Sequence, residues 1–198
     1  INGEPFQKYT SEIPCTDEGK NYKIQFYSTD NVGNVEETKT INVTVDSKSP
    51  NTSYKIHGDS YKNVISNRST FSLNVDENGS GNAVTYFSID GGRDVVFKNL
   101  IYVAYLPEGE HSISYYSIDE ANNKEEKKTY TFFLDKTAPM IVKEIMGDRF
   151  IQNGKEYQSG RSKIKLTSID NKAGVKEIMY SINGEDFQLY SKPFYLPK

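Results

Sequence analysis

Tyr27-Ser28-Thr29-Asp30-Asn31-Val32-Gly33-Asn34-Val35-Glu36-Glu37 returns as Tyr116-Ser117-Ile118-Asp119-Glu120-Ala121-Asn122-Asn123-Lys124-Glu125-Glu126, and the reading of the whole chain turns on that recurrence. The shift is 89 residues. At the same shift Asp46, Pro50, Gly58 and Asp59 meet Asp135, Pro139, Gly147 and Asp148, and between residues 24 and 59 14 of 36 positions are identical. Chance would supply roughly two, so the sequence is built from a recurring unit of about 90 residues. A second match joins the two ends. Ile1-Asn2-Gly3-Glu4, Phe6-Gln7 and Tyr9 recur as Ile182-Asn183-Gly184-Glu185, Phe187-Gln188 and Tyr190, an offset of 181, close to two periods.

Within the unit the apolar residues alternate. Phe71, Leu73 and Val75, then Ile113 and Tyr115, then Tyr130, Phe132 and Leu134 are each separated by polar neighbours, the period of a sheet with one wet face. Helical spacing is nowhere sustained. Asp90-Gly91-Gly92, Asn183-Gly184, Asn78-Gly79 and Glu108-Gly109 supply the residues that tight reversals need. About seven short strands per unit predict an all-β chain of tandem two-sheet sandwiches of immunoglobulin type. The pentads Asp46-Ser47-Lys48-Ser49-Pro50 and Asp135-Lys136-Thr137-Ala138-Pro139 suit short stiff links, because proline lacks the donor a central strand requires. Residues 51–139 then form one complete repeat, 1–50 the C-terminal part of a preceding one and 140–198 the N-terminal part of a following one.

That division leaves apolar faces bare. Ile24, Phe26, Ile41, Val43 and Val45 of the first segment forgo about 1.5–3 kcal/mol each, roughly 10 kcal/mol together, which is comparable to the stability of a domain. The expectation is a window cut from a longer array. The alternative is strand addition from residues 140–198 of a neighbouring molecule, and the stretch duplicated at both ends favours the window.

Composition narrows the partners. With 26% charged residues and a net charge of -3 over 198 residues, no strong field points to nucleic acid, and no apolar run approaches the ~20 residues of a membrane span. The single cysteine, Cys15, excludes an intrachain disulfide and reads as a small buried apolar residue. No basic-then-apolar leader and no sorting motif is present, so localisation must come from elsewhere.

Chemistry is sparse. His57 and His111 are the only histidines, and His111 aligns with Tyr22, so both read as structural residues. No phosphate loop, zinc spacing or catalytic set is found, and neither a cofactor nor catalysis is expected. Glu36-Glu37 and Glu125-Glu126 read as a solvated start to a strand. The loops that share one end of such a sandwich are the place where calcium could bind: Asp46 should approach Asp76, Glu77, Asp119 and Glu120, and Asp135 should approach Asp170. Asp76-Glu77-Asn78-Gly79-Ser80-Gly81 has oxygen donors at alternate places and Gly sixth, yet Phe87 stands where the closing Glu belongs, and Lys172 interrupts the second loop. The preferred reading is Asp and Asn side chains closing turns on their own backbone, with no metal. The Asn-x-Ser/Thr sequons at Asn42, Asn51, Asn67 and Asn78 are no more than chance supplies. Tyr102 and Tyr105, which flank Val103-Ala104, read as exposed aromatics, and of the adjacent rings Tyr86-Phe87 and Tyr115-Tyr116 one of each pair should face outward; cross-strand pairing is favoured over sugar stacking or a protein-binding patch.

Several of these motifs together resemble bacterial immunoglobulin-like repeats. They are Tyr180-Ser181-Ile182-Asn183-Gly184 followed by Phe187, Tyr190 and Pro193-Phe194; Gly109-Glu110-His111 leading to Tyr116-Ser117-Ile118-Asp119; Asp30-Asn31-Val32-Gly33-Asn34-Val35-Glu36; and Asp135-Lys136-Thr137-Ala138-Pro139. The resemblance covers nearly the whole chain, with Asp90-Gly91-Gly92-Arg93-Asp94 departing from it in the central hairpin. It implies spacer or adhesive modules of long surface-exposed or secreted proteins, including spirochaete outer-surface proteins and accessory regions of secreted glycosidases. The expected partners are neighbouring repeats of the same polypeptide and a host matrix protein or polysaccharide, and the expected location is extracellular, on the bacterial outer surface or in the periplasm. The family brings no catalytic residue.

Overall fold

The structure is a computed structural model and describes residues 1–77, 79 and 81–195. Asn78 and Ser80, which carry much of the oxygen-rich loop, the Asn78-Gly79 turn and one sequon, lie outside the described residues, as do 196–198.

All regular structure among the described residues is strand, as the period-two pattern predicts. Residues 1–50 hold β1 (Asn21–Phe26) and β2 (Lys39–Thr44). Residues 51–139 hold β3 (Asn51–His57), β4 (Ser60–Tyr61), β5 (Val64–Ser66), β6 (Thr70–Asp76), β7 (Ala83–Ile89), β8 (Val95–Val96), β9 (Ile101–Tyr102), β10 (Gly109–Asp119) and β11 (Lys128–Asp135). Beyond them come β12 (Met140–Met146), β13 (Arg149–Gln152), β14 (Lys155–Gln158), β15 (Lys163–Ile169), β16 (Met179–Tyr180), β17 (Gln188–Leu189) and β18 (Phe194–Tyr195). The middle stretch therefore has nine strands where turn spacing suggested about seven, because two-residue strands leave no alternation to read. Pro50 and Pro139 both fall between strands, the first buried and the second exposed.

The strands pair in the orders β1-β2, β4-β5-β11-β10-β7-β8, β3-β6-β9, β12-β15-β18, β13-β14 and β16-β17. One reversal is used four times among the described residues. Asp90 and Gly91 have φ of 51° and 70°, and Gly92 N–H closes on the Ile89 carbonyl at 2.9 Å. Asn153 and Gly154 (52° and 75°), Asn183 and Gly184 (53° and 80°) and Asn2 and Gly3 (50° and 87°) make the same mirror-image turn. The remodelling expected at Asp90–Asp94 does not alter the pairing that follows: Tyr86↔Val96 and Phe87↔Val95 match Met179↔Leu189 and Tyr180↔Gln188, each 93 residues on.

The same correspondence holds elsewhere. Ser60↔Ile65 and Tyr61↔Val64 match Arg149↔Gln158 and Phe150↔Tyr157, with the later hairpin four residues longer. The order β3-β6-β9 is repeated by β12-β15-β18.

The chain divides into two compact units: Ile1–His57, Phe71–Ile101 and Ser112–Tyr130 form the first, and Gly58–Thr70, Tyr102–His111 and Thr131–Lys198 the second. In the first, Tyr54 of β3 meets Tyr130 at 4.5 Å, Tyr115 at 6.1 Å and Phe71 at 6.2 Å between ring centroids. Tyr54 and Phe71 belong to the three-stranded sheet and Tyr115 and Tyr130 to the six-stranded one, so the two sheets face each other across these rings. Phe71, Leu73, Ile101 and Ile113 are buried there. In the second unit Ile65, Val103, Leu106, Phe132 and Leu134 are buried, and Tyr180 stacks on Phe194 at 4.3 Å.

Candidate functional site

Three carboxylates from separate segments converge in the first unit. Asp46 follows β2, Glu77 follows β6 and Asp119 ends β10. One oxygen from each lies within 4.8 Å of the others, and Asp119 is buried while Asp46 and Glu77 are half-buried. The partners of these oxygens explain the convergence. Asp119 Oδ1 accepts the Asn123 backbone N–H at 2.8 Å and Oδ2 accepts Asn123 Nδ2–H at 2.9 Å. The same Asn123 amide donates to the Asp46 carbonyl at 3.1 Å. Glu77 Oε1 accepts the Gly79 N–H at 2.7 Å, and Asp46 Oδ1 the Lys48 N–H at 3.2 Å. Gly79 carries no side chain for a steric reason: a Cβ there would overlap the Asp46 carboxylate.

Three hard anionic oxygens are the donor type calcium takes, and about half the six to eight it requires. Asp30, the counterpart of Asp119, binds Asn34 N–H at 2.8 Å and Asn34 Nδ2–H at 2.8 Å, with no such triad around it among the described residues. Those bonds hold the Asp30 carboxyl below its ordinary pKa. Asp and Asn side chains closing a turn on their own backbone are thus present in both copies. Of the other residues weighed for an ion, Asp76 is exposed at the end of β6 and Glu120 Oε1 accepts Asn82 Nδ2–H at 2.9 Å. In the second unit Asp135 Oδ2 accepts the Ala173 N–H at 3.2 Å, and Asp170 Oδ1 accepts Lys172 N–H and Gly174 N–H at 3.0 and 2.7 Å. Lys172 Nζ lies 4.4 Å from the Phe133 ring, so a cation already occupies that loop's surroundings.

Glu125 is the residue that sequence reading misplaced. It was expected on a solvated strand, yet it is only 6% exposed and sits in the loop before β11. Its Oε2 accepts the Thr52 N–H at 3.0 Å and Lys128 Nζ at 2.9 Å, and its Oε1 accepts the Ser117 N–H at 2.8 Å. Ser117 Oγ in turn contacts Thr52 Oγ1 at 2.6 Å and Thr85 Oγ1 at 2.8 Å. Burial alone would raise the carboxyl pKa; the bonds from Thr52 and the Lys128 ammonium outweigh it, and the net shift is downward. Two backbone donors from different strands thereby find a partner inside the protein. The available signal was the recurrence of Ser28, Glu36 and Lys39 as Ser117, Glu125 and Lys128.

The histidines and rings have defined partners. His111 is buried, bonds the Pro107 carbonyl through Nε2 at 2.9 Å and lies 5.9 Å from Phe132. His57 Nε2 meets Ser72 Oγ at 2.8 Å. Of Tyr115 and Tyr116 one ring was expected to face outward, yet both are buried; the favoured cross-strand pairing is present, with Tyr116 stacked on Tyr86 at 5.3 Å, Lys124 Nζ 4.3 Å from its ring and its hydroxyl donating to Asp94 at 3.3 Å. Cys15, expected buried, is half-buried.

The links between segments are tied down. Glu18 Oε2 accepts the Ser47 N–H at 2.6 Å in the first unit. In the second, Glu108 Oε2 accepts the Thr137 hydroxyl at 2.7 Å and Lys136 Nζ donates to the Ala104 carbonyl at 2.8 Å. Comparison with protein-family models and with curated proteins returns no match for this chain.

Proposed function

We propose that the chain is a non-catalytic structural and adhesive region of a bacterial surface or secreted protein, in which tandem immunoglobulin-like sandwiches form a stalk and offer sheet faces to a protein partner. The observation that carries this reading is the recurrence of hairpin pairing: β7-β8 returns in β16-β17 with the same register, and β4-β5 in β13-β14 with a hairpin four residues longer. Recurrence of the same strand pairings along the chain is what a serial array of one unit requires. The linkers held by Glu18 and Glu108 support a semi-rigid spacer. On this reading residues 51–139 are one repeat, flanked by parts of two others, and the location is extracellular.

One observation favours a second reading, a carbohydrate-binding accessory module. Tyr102 and Tyr105 are 63% and 71% exposed, and flat rings open to solvent are the usual platform for a sugar. Pull-down of the full chain on insoluble polysaccharides and on immobilised matrix proteins separates the two. Retention by matrix protein and indifference to sugar supports the adhesive stalk; retention by polysaccharide that Tyr102→Ala and Tyr105→Ala abolish replaces it with the accessory module.

A further inference from the structure

Two linkers join the segments, one between Thr44 of β2 and Asn51 of β3 and one between Asp135 of β11 and Met140 of β12. Each lies with its partners inside one compact unit, so the groups that hold the two can be compared bond by bond. Both are gripped from the preceding side by a glutamate. Glu18 Oε2 accepts the Ser47 N–H at 2.6 Å, and the Ser47 hydroxyl donates to the same oxygen. Glu108 Oε2 accepts the Thr137 hydroxyl at 2.7 Å and the Lys136 N–H at 3.3 Å. Each glutamate stands in a Glu-Gly pair at the entry to the corresponding strand, β1 or β10.

The linker aspartates reach the following side. Asp46 Oδ1 accepts the Lys48 N–H at 3.2 Å and Asp135 Oδ1 the Thr137 N–H at 3.0 Å, which folds each linker on itself. The rest of each carboxylate meets the same loop of the next repeat. Asp135 Oδ2 accepts the Ala173 N–H at 3.2 Å, in the loop after β15. Asp46 stands so close to the loop after β6, the counterpart of β15, that a Cβ on Gly79 would fall 2.3 Å from its Oδ2, and the Asp46 carbonyl accepts Asn123 Nδ2–H at 3.1 Å. A carboxylate suits this double use, because each of its oxygens offers two lone pairs.

Proline accounts for little of this hold. Its ring fixes its own φ and restricts the residue before it, and Pro139 is exposed. Lys136 and Thr137 are held instead by the bonds from Glu108 and Asp135. We infer that the linker aspartate and its glutamate form a clasp that grips the linker from the preceding and the following repeat at once, and that this clasp, rather than the proline, fixes how successive repeats are oriented. The inference rests on the repeat reading proposed above and adds what makes its joints stiff.

Nitroxide labels on Thr131→Cys in β11 and Lys143→Cys in β12, in a Cys15→Ser background, report the second joint: both positions are exposed, and the chain between them spans at most about 40 Å. Pulsed EPR of the full polypeptide should give one narrow distance distribution. A flexible linker of four residues ranges over about 10 Å, so Glu108→Ala combined with Asp135→Ala should broaden the distribution by that order, whereas Pro139→Ala should leave it narrow. At the first joint Glu18→Ala should speed trypsin cleavage after Lys48 at least about tenfold, the effect of losing a charge-assisted hydrogen bond. A broad distribution without the substitutions overturns the inference. So does a narrow one after the double substitution, an equal broadening by Pro139→Ala, or cleavage after Lys48 that Glu18→Ala leaves unchanged. Hydrogen exchange on the same samples keeps this apart from failure of the repeat reading. Slow exchange in β7 and β10 beside a failed joint removes the clasp alone; fast exchange there in the unsubstituted chain removes the repeat.

Discussion

Replacing Glu125 by alanine strips a buried acceptor from two backbone donors at once. The Thr52 and Ser117 N–H groups, held at 3.0 and 2.8 Å, are left without a partner in a region where Ser117 and Thr52 are almost wholly buried. An orphaned buried N–H costs about 1–3 kcal/mol, and the Lys128 ion pair, whose lysine is partly exposed, adds at most about 1 kcal/mol. The expected loss is about 2–7 kcal/mol, a large part of a domain's stability. Glu125→Gln keeps one acceptor oxygen but turns an amide toward a donor, and should fall between alanine and the native residue. The internal control is Glu36→Ala, which removes the same Ser and Lys bonds where water can replace them and should change little. Because the chain holds more than one compact unit, a single unfolding midpoint is not the right readout; segment-resolved hydrogen exchange in urea is. If Glu125→Ala and Glu36→Ala weaken their segments equally, burial does not govern this carboxylate and the reasoning fails.

Four further outcomes are expected. The Glu125 carboxyl pKa is depressed, so its contribution is complete above the ordinary glutamate pKa and is lost as pH falls through the lower folded value; segment-resolved hydrogen exchange in urea at a series of acid pH values, corrected for the intrinsic exchange rate, should show that loss, and Glu125→Gln should abolish that part of the slope. The melting temperature should not change on adding a chelator, since Asn123 already satisfies Asp119, and a rise with added calcium would assign an ion to Asp46, Glu77 and Asp119 instead. Ser162→Ala should be neutral or stabilising by up to about 1 kcal/mol in thermal melts, because the Ser162 hydroxyl is buried without a hydrogen-bond partner. Gly147→Ala should destabilise by more than about 1 kcal/mol, as φ is +149° and a Cβ would fall 2.9 Å from the Ser162 Cα.

What could be read from the residues and what could not divides along physical lines. Alternation at Phe71, Leu73 and Val75 and at Phe132 and Leu134 marked strands whose inward members are buried or half-buried, since a period of two is imposed by the backbone itself. The turns at Asp90-Gly91 and Asn183-Gly184 were legible because positive φ selects those residues. The approach of Asp46 to Glu77 and Asp119 followed from placing three loops at one end of a sandwich. Glu125 was misread because adjacent glutamates carry the same local signature whether solvated or enclosed; only the donors of Thr52 and Ser117, 73 and 8 residues away, distinguish the two. The cross-strand pairing favoured for the adjacent rings holds for Tyr86 and Tyr116. That Tyr115 and Tyr116 are both buried was not legible, because Tyr116 is covered by Tyr86 on a neighbouring strand and by a lysine from the following loop, neither visible in its own stretch.

The Ser28–Glu36 loop closes with the same bonds as Ser117–Glu125 although one is open to water and the other enclosed, so its shape does not depend on the rest of the sandwich. Both closures span eight residues, and the β1-β2 hairpin pairs directly across the first of them. Contacts of such short range lose little chain entropy and form early, ahead of the distant pairings. During synthesis β1 and β2 would then emerge as a preformed hairpin, and its docking onto other strands, rather than zipping of an extended chain, would be the slow event.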